Sequence, residues 1–132
     1  MRAAADATPT NNRDEIGNSL PVTAERTIQA GTLTFEVIES DRTRVVQLSG
    51  ELDLGGTRRL ENELSALFST HPEAVIVDLA RLEFIDSIGL RSLLKIAEEA
   101  KASGNSLQFL APEGQPATVL EVTGLRDLLP VV

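Results

Sequence analysis

The spacing of apolar and polar positions changes along the chain, and each change marks an element. Leu33, Phe35 and Val37 alternate with Thr34 and Glu36, the period of a half-buried strand. The polar cluster Glu39-Ser40-Asp41-Arg42 then leads into Arg44-Val45-Val46-Gln47-Leu48-Ser49, and so short a link predicts an antiparallel hairpin ended by Gly50. Leu60, Leu64, Leu67 and Phe68 follow at helical spacing, with Arg58, Arg59, Glu61 and Glu63 largely off that stripe, which predicts an amphipathic helix. His71-Pro72 reads as a turn. The continuous run Ala74-Val75-Ile76-Val77-Asp78-Leu79 then has the character of a central strand, covered on both faces and parallel to a neighbour.

Residues 87–103 place Leu90, Leu93, Leu94 and Ala97 on one helical stripe, and Ser103-Gly104-Asn105 supplies the stop. Leu107 to Leu110 predicts another strand, Pro112 to Gly114 a turn, Gln115 to Val122 a short helix, and Leu128 to Val132 a last edge segment. The order β-β-α-β-α-β-α predicts an α/β domain: a mixed sheet of four to five strands, a β-hairpin followed by β-α repeats, with helices packed mainly on one face. Residues 1–31 scatter their few large apolar side chains without a period, so they are expected to form a flexible tail ahead of a domain spanning 32–132.

Composition narrows the function. A chain of 132 residues is one domain. A domain of this size hides roughly two-thirds of the surface its unfolded chain exposes, enough for a core without metal or disulfide staples. Twelve Lys and Arg against 20 Asp and Glu give a net charge of −8. The tail holds three basic and four acidic residues, so nearly all of that charge lies in the domain. Such a balance opposes direct nucleic-acid binding, which needs a basic patch. With no cysteine, thiol chemistry, Cys-ligated zinc and disulfides are excluded, and one histidine makes a His-based relay or metal site a poor reading. No cofactor is implied. No run approaches the ~20 apolar residues of a membrane span, and no apolar leader opens the chain, so a cytoplasmic location is expected.

One junction is unusual. Through Phe84-Ile85-Asp86-Ser87-Ile88-Gly89-Leu90 a buried strand passes into a helix, with Asp86 and Ser87 at the helix start and Phe84 and Ile85 expected to anchor the loop. Asp and Ser are favoured N-caps, and capping alone accounts for them at about 1 kcal/mol. Alternatively the pair is displayed beside exposed helical N–H groups. There a phosphoryl group on Ser87 would add ~1.5 to 2 negative charges next to Asp86 and turn a binding surface into a repelling one. An enzyme with Ser87 as nucleophile and Asp86 as base lacks the third, orienting group, and the flanking residues are not Gly-x-Ser-x-Gly.

Three signatures, in order over residues 32–132, resemble the STAS family and within it the bacterial anti-sigma factor antagonists. They are Gly50-Glu51-Leu52-Asp53, then Asp78-Leu79 with Phe84-Ile85-Asp86-Ser87-Ile88-Gly89-Leu90, and Thr123-Gly124-Leu125. The resemblance implies a STAS fold and a cytoplasmic partner-switching phosphoprotein of the bacterial stress response. Unmodified, it binds an anti-sigma factor that is also a serine kinase, and so frees a sigma factor for transcription. Phosphorylation of the serine after the motif aspartate, here Ser87, inactivates it, and a PP2C-type serine phosphatase resets it. ATP and Mg²⁺ then belong to the kinase, and this chain is a substrate rather than an enzyme. The same resemblance assigns the partner surface to Asp53, Asp86, Ser87, Ile88, Gly89 and Leu90. Asp53 also fits a turn or N-cap. Ile88 departs from the family's usual Ser or Thr and leaves one hydroxyl as acceptor. The competing reading is a stand-alone STAS subunit of a membrane transporter or lipid-transfer complex, in which Ser87 is only a cap.

Overall fold

The computed structural model describes residues 22–132. Five strands hydrogen-bond in chain order: β1 (Val22–Ala30), β2 (Leu33–Ser40), β3 (Thr43–Leu52), β4 (Ala74–Ile85) and β5 (Leu107–Leu110). β1, β2 and β3 form an antiparallel meander, and β4 and β5 are added in parallel. The parallel steps need crossovers, supplied by α1 (Leu54–Phe68) and α2 (Ser87–Ala102). α3 (Gly114–Thr123) and a 3₁₀ turn (Leu125–Asp127) complete the chain order. Over the described residues the sheet is therefore mixed and five-stranded, within the four to five strands expected.

Register explains which residues are inside. Val37 lies opposite Val46, Val46 opposite Val77 and Val77 opposite Phe109, so one apolar row crosses four strands on a single face. Leu60, Leu64, Leu67 and Phe68 of α1, Leu93 and Ile96 of α2 and Leu120 of α3 join this row in one buried cluster. Each fully buried side chain of this size stabilises the fold by about 1.5–3 kcal/mol, so the layer between sheet and helices dominates the energetics. The end of the chain closes the β5 side, where Phe109 N–H donates to the Pro130 carbonyl and Val132 N–H to that of Phe109, each at 2.9 Å.

Two expectations change. Residues 22–30, read as part of the tail, form β1; positions 1–21 of that tail lie outside the described residues. Only Ile28 of β1 is buried, so this edge strand carries no alternation to read, and it is held by its ladder to β2 and by Arg26, which pairs with Glu63 of α1 and Glu39 of β2. The Glu63 hydrogen bond is the main cause that holds the Arg26 guanidinium above its ordinary value. The central strand also runs past Leu79 to Ile85. Register shifts between Gln47 and Ser49 and between Gly50 and Glu51 keep β3 paired to it there, and they set Leu82 and Ile85 inward at a spacing of three rather than two. Gly50 sits at φ +88, where a Cβ would lie 2.2 Å from the Thr32 carbonyl oxygen, so only glycine fits this irregular point.

Candidate functional site

The ladder between β3 and β4 ends with Leu52 opposite Ile85, so two parallel strands leave the sheet side by side and each enters a helix at once. Asp53 caps α1, its Oδ1 accepting from Gly55 N–H at 3.0 Å. Asp86 caps α2, its Oδ1 accepting from Gly89 N–H at 2.8 Å. Both aspartates have extended backbone angles, the geometry of a true N-cap, and both carboxylates satisfy donors that the first helical turn leaves orphaned. Asp86 N–H also donates to the Leu52 carbonyl at 3.3 Å, which fastens the two junctions together.

Gly89 explains why the first turn of α2 lies so close to the sheet. A Cβ at this position would lie 2.4 Å from the Leu52 carbonyl oxygen and 2.8 Å from Ile85 Cγ1, and the former is backbone that cannot swing away. Gln115, at the start of α3, fixes the same point from the other side. Ile85 N–H donates to Gln115 Oε1 and Gln115 Nε2 donates to the Ile85 carbonyl, each at 2.9 Å. The amide thus replaces a missing strand neighbour for the last residue of β4. Sequence reasoning did not single out Gln115, because a glutamine at a helix start carries no pattern that separates it from a solvated one.

Between the helices, Ser92 Oγ donates to Glu61 Oε2 at 2.7 Å and Lys95 Nζ to Glu61 Oε1 at 3.0 Å, while Ser65 Oγ reaches Glu99. Partial burial pushes the Glu61 carboxyl up, but the Ser92 and Lys95 bonds outweigh it and hold it below its ordinary value. α1 and α2 are thereby locked as one unit behind their capped starts.

What this scaffold presents is a small surface of mixed character. Ser87, the first residue of α2, is exposed, and Asp86 beside it is half-buried. Apolar side chains flank them: Leu54 is 70% exposed and Phe84 and Ile88 are each 40% exposed. Phe84 is therefore not an anchor of the loop; Leu82 and Ile85 are, since both are buried. Of the residues expected at the partner surface, Asp53, Asp86, Ser87 and Ile88 gather at this end of the sheet. Gly89 and Leu90 face the interior and serve to seat the helix. Leu54 was missed, although an apolar residue next to a cap aspartate and outside the Leu60 stripe is a readable signal. His71 lies between the end of α1 and the start of β4, at the opposite end of the strand from Asp86.

Against known proteins, the family model described as "Mlab, STAS domain" matches residues 35–130. The chain belongs to the STAS domain family. The curated proteins it is similar to include anti-sigma factor antagonists. It is 30% identical over 78 residues to the anti-sigma-F factor antagonist RsfB of Mycobacterium tuberculosis, an alignment covering 59% of this chain and 62% of that protein. It is 26% identical over 99 residues to the anti-sigma-B factor antagonist of Staphylococcus aureus, covering 75% and 92%. The crystal structure of an anti-sigma factor antagonist from Mycobacterium paratuberculosis superposes with a TM-score of 0.66 at 27% identity, over 79% of this chain and 89% of that one. Among the described residues, no helix is long and apolar enough to cross a membrane.

Proposed function

We propose that this chain is an anti-sigma factor antagonist whose Ser87 face docks an anti-sigma factor with serine kinase activity, and that phosphorylation of Ser87 breaks the complex. The observation that carries the proposal is an exposed serine at the first position of α2, beside a fixed aspartate and among exposed apolar side chains, in a chain whose relatives bear that name. Leu54, Phe84 and Ile88 supply apolar contact, and the neutral hydroxyl adds no desolvation penalty large enough to oppose it. A phosphoryl group changes both terms. It brings ~1.5 to 2 negative charges against the Asp86 carboxylate and against any acidic rim on the partner, while the N–H groups of α2 keep the modified helix folded. Dephosphorylation by a PP2C-type phosphatase restores the neutral surface. In this reading the chain is a phosphoacceptor and not a catalyst: the Asp86 carboxylate is held by Gly89 N–H, and the histidine lies at the far end of the sheet.

The test is affinity capture from host lysate with wild-type and Ser87→Asp baits, then binding and phosphotransfer assays on the protein recovered. The wild type is expected to retain a small ATP-binding serine kinase, Ser87→Asp to bind it at least about tenfold more weakly, and Ser87→Ala to bind it without accepting phosphate. Equal affinity of wild type and Ser87→Asp overturns the switch. Recovery of membrane-transporter subunits by both baits alike would make Ser87 a helix cap.

A further inference from the structure

The basic residues of α1 and α2 follow a pattern with one exception. Arg58 has Glu61 three residues on, Arg59 has Glu63 four on, Lys95 has Glu98 and Glu99 at both spacings, and Lys101 has Glu98 three residues back. Residues three or four apart stand on neighbouring turns of one helix face, so each of these cations has a carboxylate within reach. Arg91 does not: the four positions that could pair with it hold Ser87, Ile88, Leu94 and Lys95. Across the helix pair, Glu61 is engaged by Ser92 and Lys95, and Glu99 by Ser65. The Asp86 carboxylate accepts from Gly89 N–H. Arg91 is exposed and has no hydrogen bond or ion pair among the described residues. Of its four helical neighbours, only Ser87 can become an anion.

We propose that Arg91 clamps a phosphoryl group on Ser87, its guanidinium pairing with the phosphoryl oxygens one turn away. This rests on the reading of Ser87 as the phosphoacceptor and adds how the modified state is held. Cβ atoms at this spacing lie about 5–6 Å apart, within an arginine's reach, and the planar fork of donors fits two phosphoryl oxygens at once. The order is the favourable one, with the anion at the N-terminal end of α2 and the cation a turn behind it. Asp86 gives the clamp something to offset. Beside that carboxylate alone the singly charged phosphoryl group is favoured, and a guanidinium one turn away restores the dianion. Modification therefore changes the docking surface twice. It fixes a dianion beside Asp86, and it withdraws the Arg91 cation from any acidic group of the partner.

The experiment uses the full chain with phosphoserine installed at position 87 during translation, so that no kinase enters, and follows its ³¹P resonance against pH at low salt. The second ionisation of a phosphoserine ordinarily falls near about pH 6. In Arg91→Gln its midpoint is expected about 0.5 pH unit above that of the phosphorylated chain that keeps Arg91. Lys101→Gln, at the far end of the same helix, is expected to move it much less. Equal midpoints with and without Arg91 overturn the clamp. Equal shifts from the two variants also overturn it, because they would reflect only the overall charge of the chain. Neither result bears on the switch itself, which fails separately if wild type and Ser87→Asp bind the kinase alike.

Discussion

At the end of β3 the Asp53 carboxylate accepts from the second N–H of α1, and at the end of β4 the Asp86 carboxylate accepts from the third N–H of α2. The two junctions share a strand end, a capping aspartate and a nearby glycine, yet they differ in the first residue beyond the cap. After Asp53 comes Leu54, largely out in solvent; after Asp86 comes Ser87, a hydroxyl in the equivalent place. Capping explains both aspartates and therefore distinguishes neither. The junctions are separated by the residue that the cap does not need, and by the rigidity with which it is held. The second junction is pinned from three directions, by the Leu52 carbonyl, by the contact at Gly89 and by the Gln115 amide.

The largest effect should come from the glycines of the first turns. Gly89→Ala forces a Cβ against the Leu52 backbone, whereas at Gly56, the counterpart in α1, the added atom would lie 2.9 Å from Leu33 Cβ and 3.1 Å from the Ala30 carbonyl oxygen. Overpacking of this kind costs about 1–3 kcal/mol. Gly89→Ala is expected at the top of that range and Gly56→Ala below it, because the nearest approach at Gly56 is 2.9 Å against 2.4 Å at Gly89. Thermal melts of both variants check the order, and an unchanged melting temperature for Gly89→Ala would remove the claim of close approach.

Gln115→Leu comes next. It takes both hydrogen bonds from the last residue of β4 and leaves a part-buried N–H and carbonyl without partners, a loss of about 1–3 kcal/mol. Amide exchange localises the change. Faster exchange at Ile85 and through the first turn of α2, with α1 unaffected, is the expected pattern; uniform loss across both helices would mean that the two junctions do not differ in how they are held.

Much of this is legible in the residues alone, and the exceptions have physical causes. The order of elements after Leu33 is readable because burial on one face of a sheet or helix imposes a period of two or of three to four. β1 escapes because an edge strand with a single buried residue needs no period at all. The far half of β4 escapes because register shifts break the alternation that would have announced it. At the site, Asp86 and Asp53 are readable as caps from local chemistry. The Gln115 clamp is not, since it joins residues 30 apart through side-chain geometry that only the packed fold brings together. Gly89 and Leu90 were expected at the surface because they sit in the same motif as Ser87, but a helix start shows one side to solvent and the other to the sheet.

Smaller effects test the caps themselves. Asp86→Ala and Asp53→Ala each remove one cap bond, worth about 0.5–2 kcal/mol. Asp86→Ala should be the more destabilising, since the carboxylate it removes makes the shorter cap bond, 2.8 Å against 3.0 Å, at the junction where Gly89 and Gln115 seat the helix closely. Chemical denaturation with matched m-values checks this. Equal losses would mean that the extra fastening at the second junction contributes nothing to the cap.

The smallest effect is a pH dependence in the bond that joins the two helices behind their starts. The Glu61 carboxyl is held below its ordinary value of 4.5 in the folded chain, burial opposing and the Ser92 and Lys95 bonds prevailing. A depressed folded value means that the unfolded chain takes up the proton first. The stabilisation is therefore fully present above about pH 5, begins to fade as pH falls through the ordinary value, and is gone below the folded one. Glu61→Gln keeps a partner for Ser92 but does not titrate, so the stability difference between wild type and variant should be flat near neutrality and shrink on acidification. Added salt should weaken the exposed Lys95 part and leave the Ser92 part, because Ser92 is buried and its bond is short. A difference that stays constant down to about pH 3, below the ordinary carboxylate range, would show that the carboxylate is not what couples α1 to α2, and that the two capped starts are held in register by apolar packing alone.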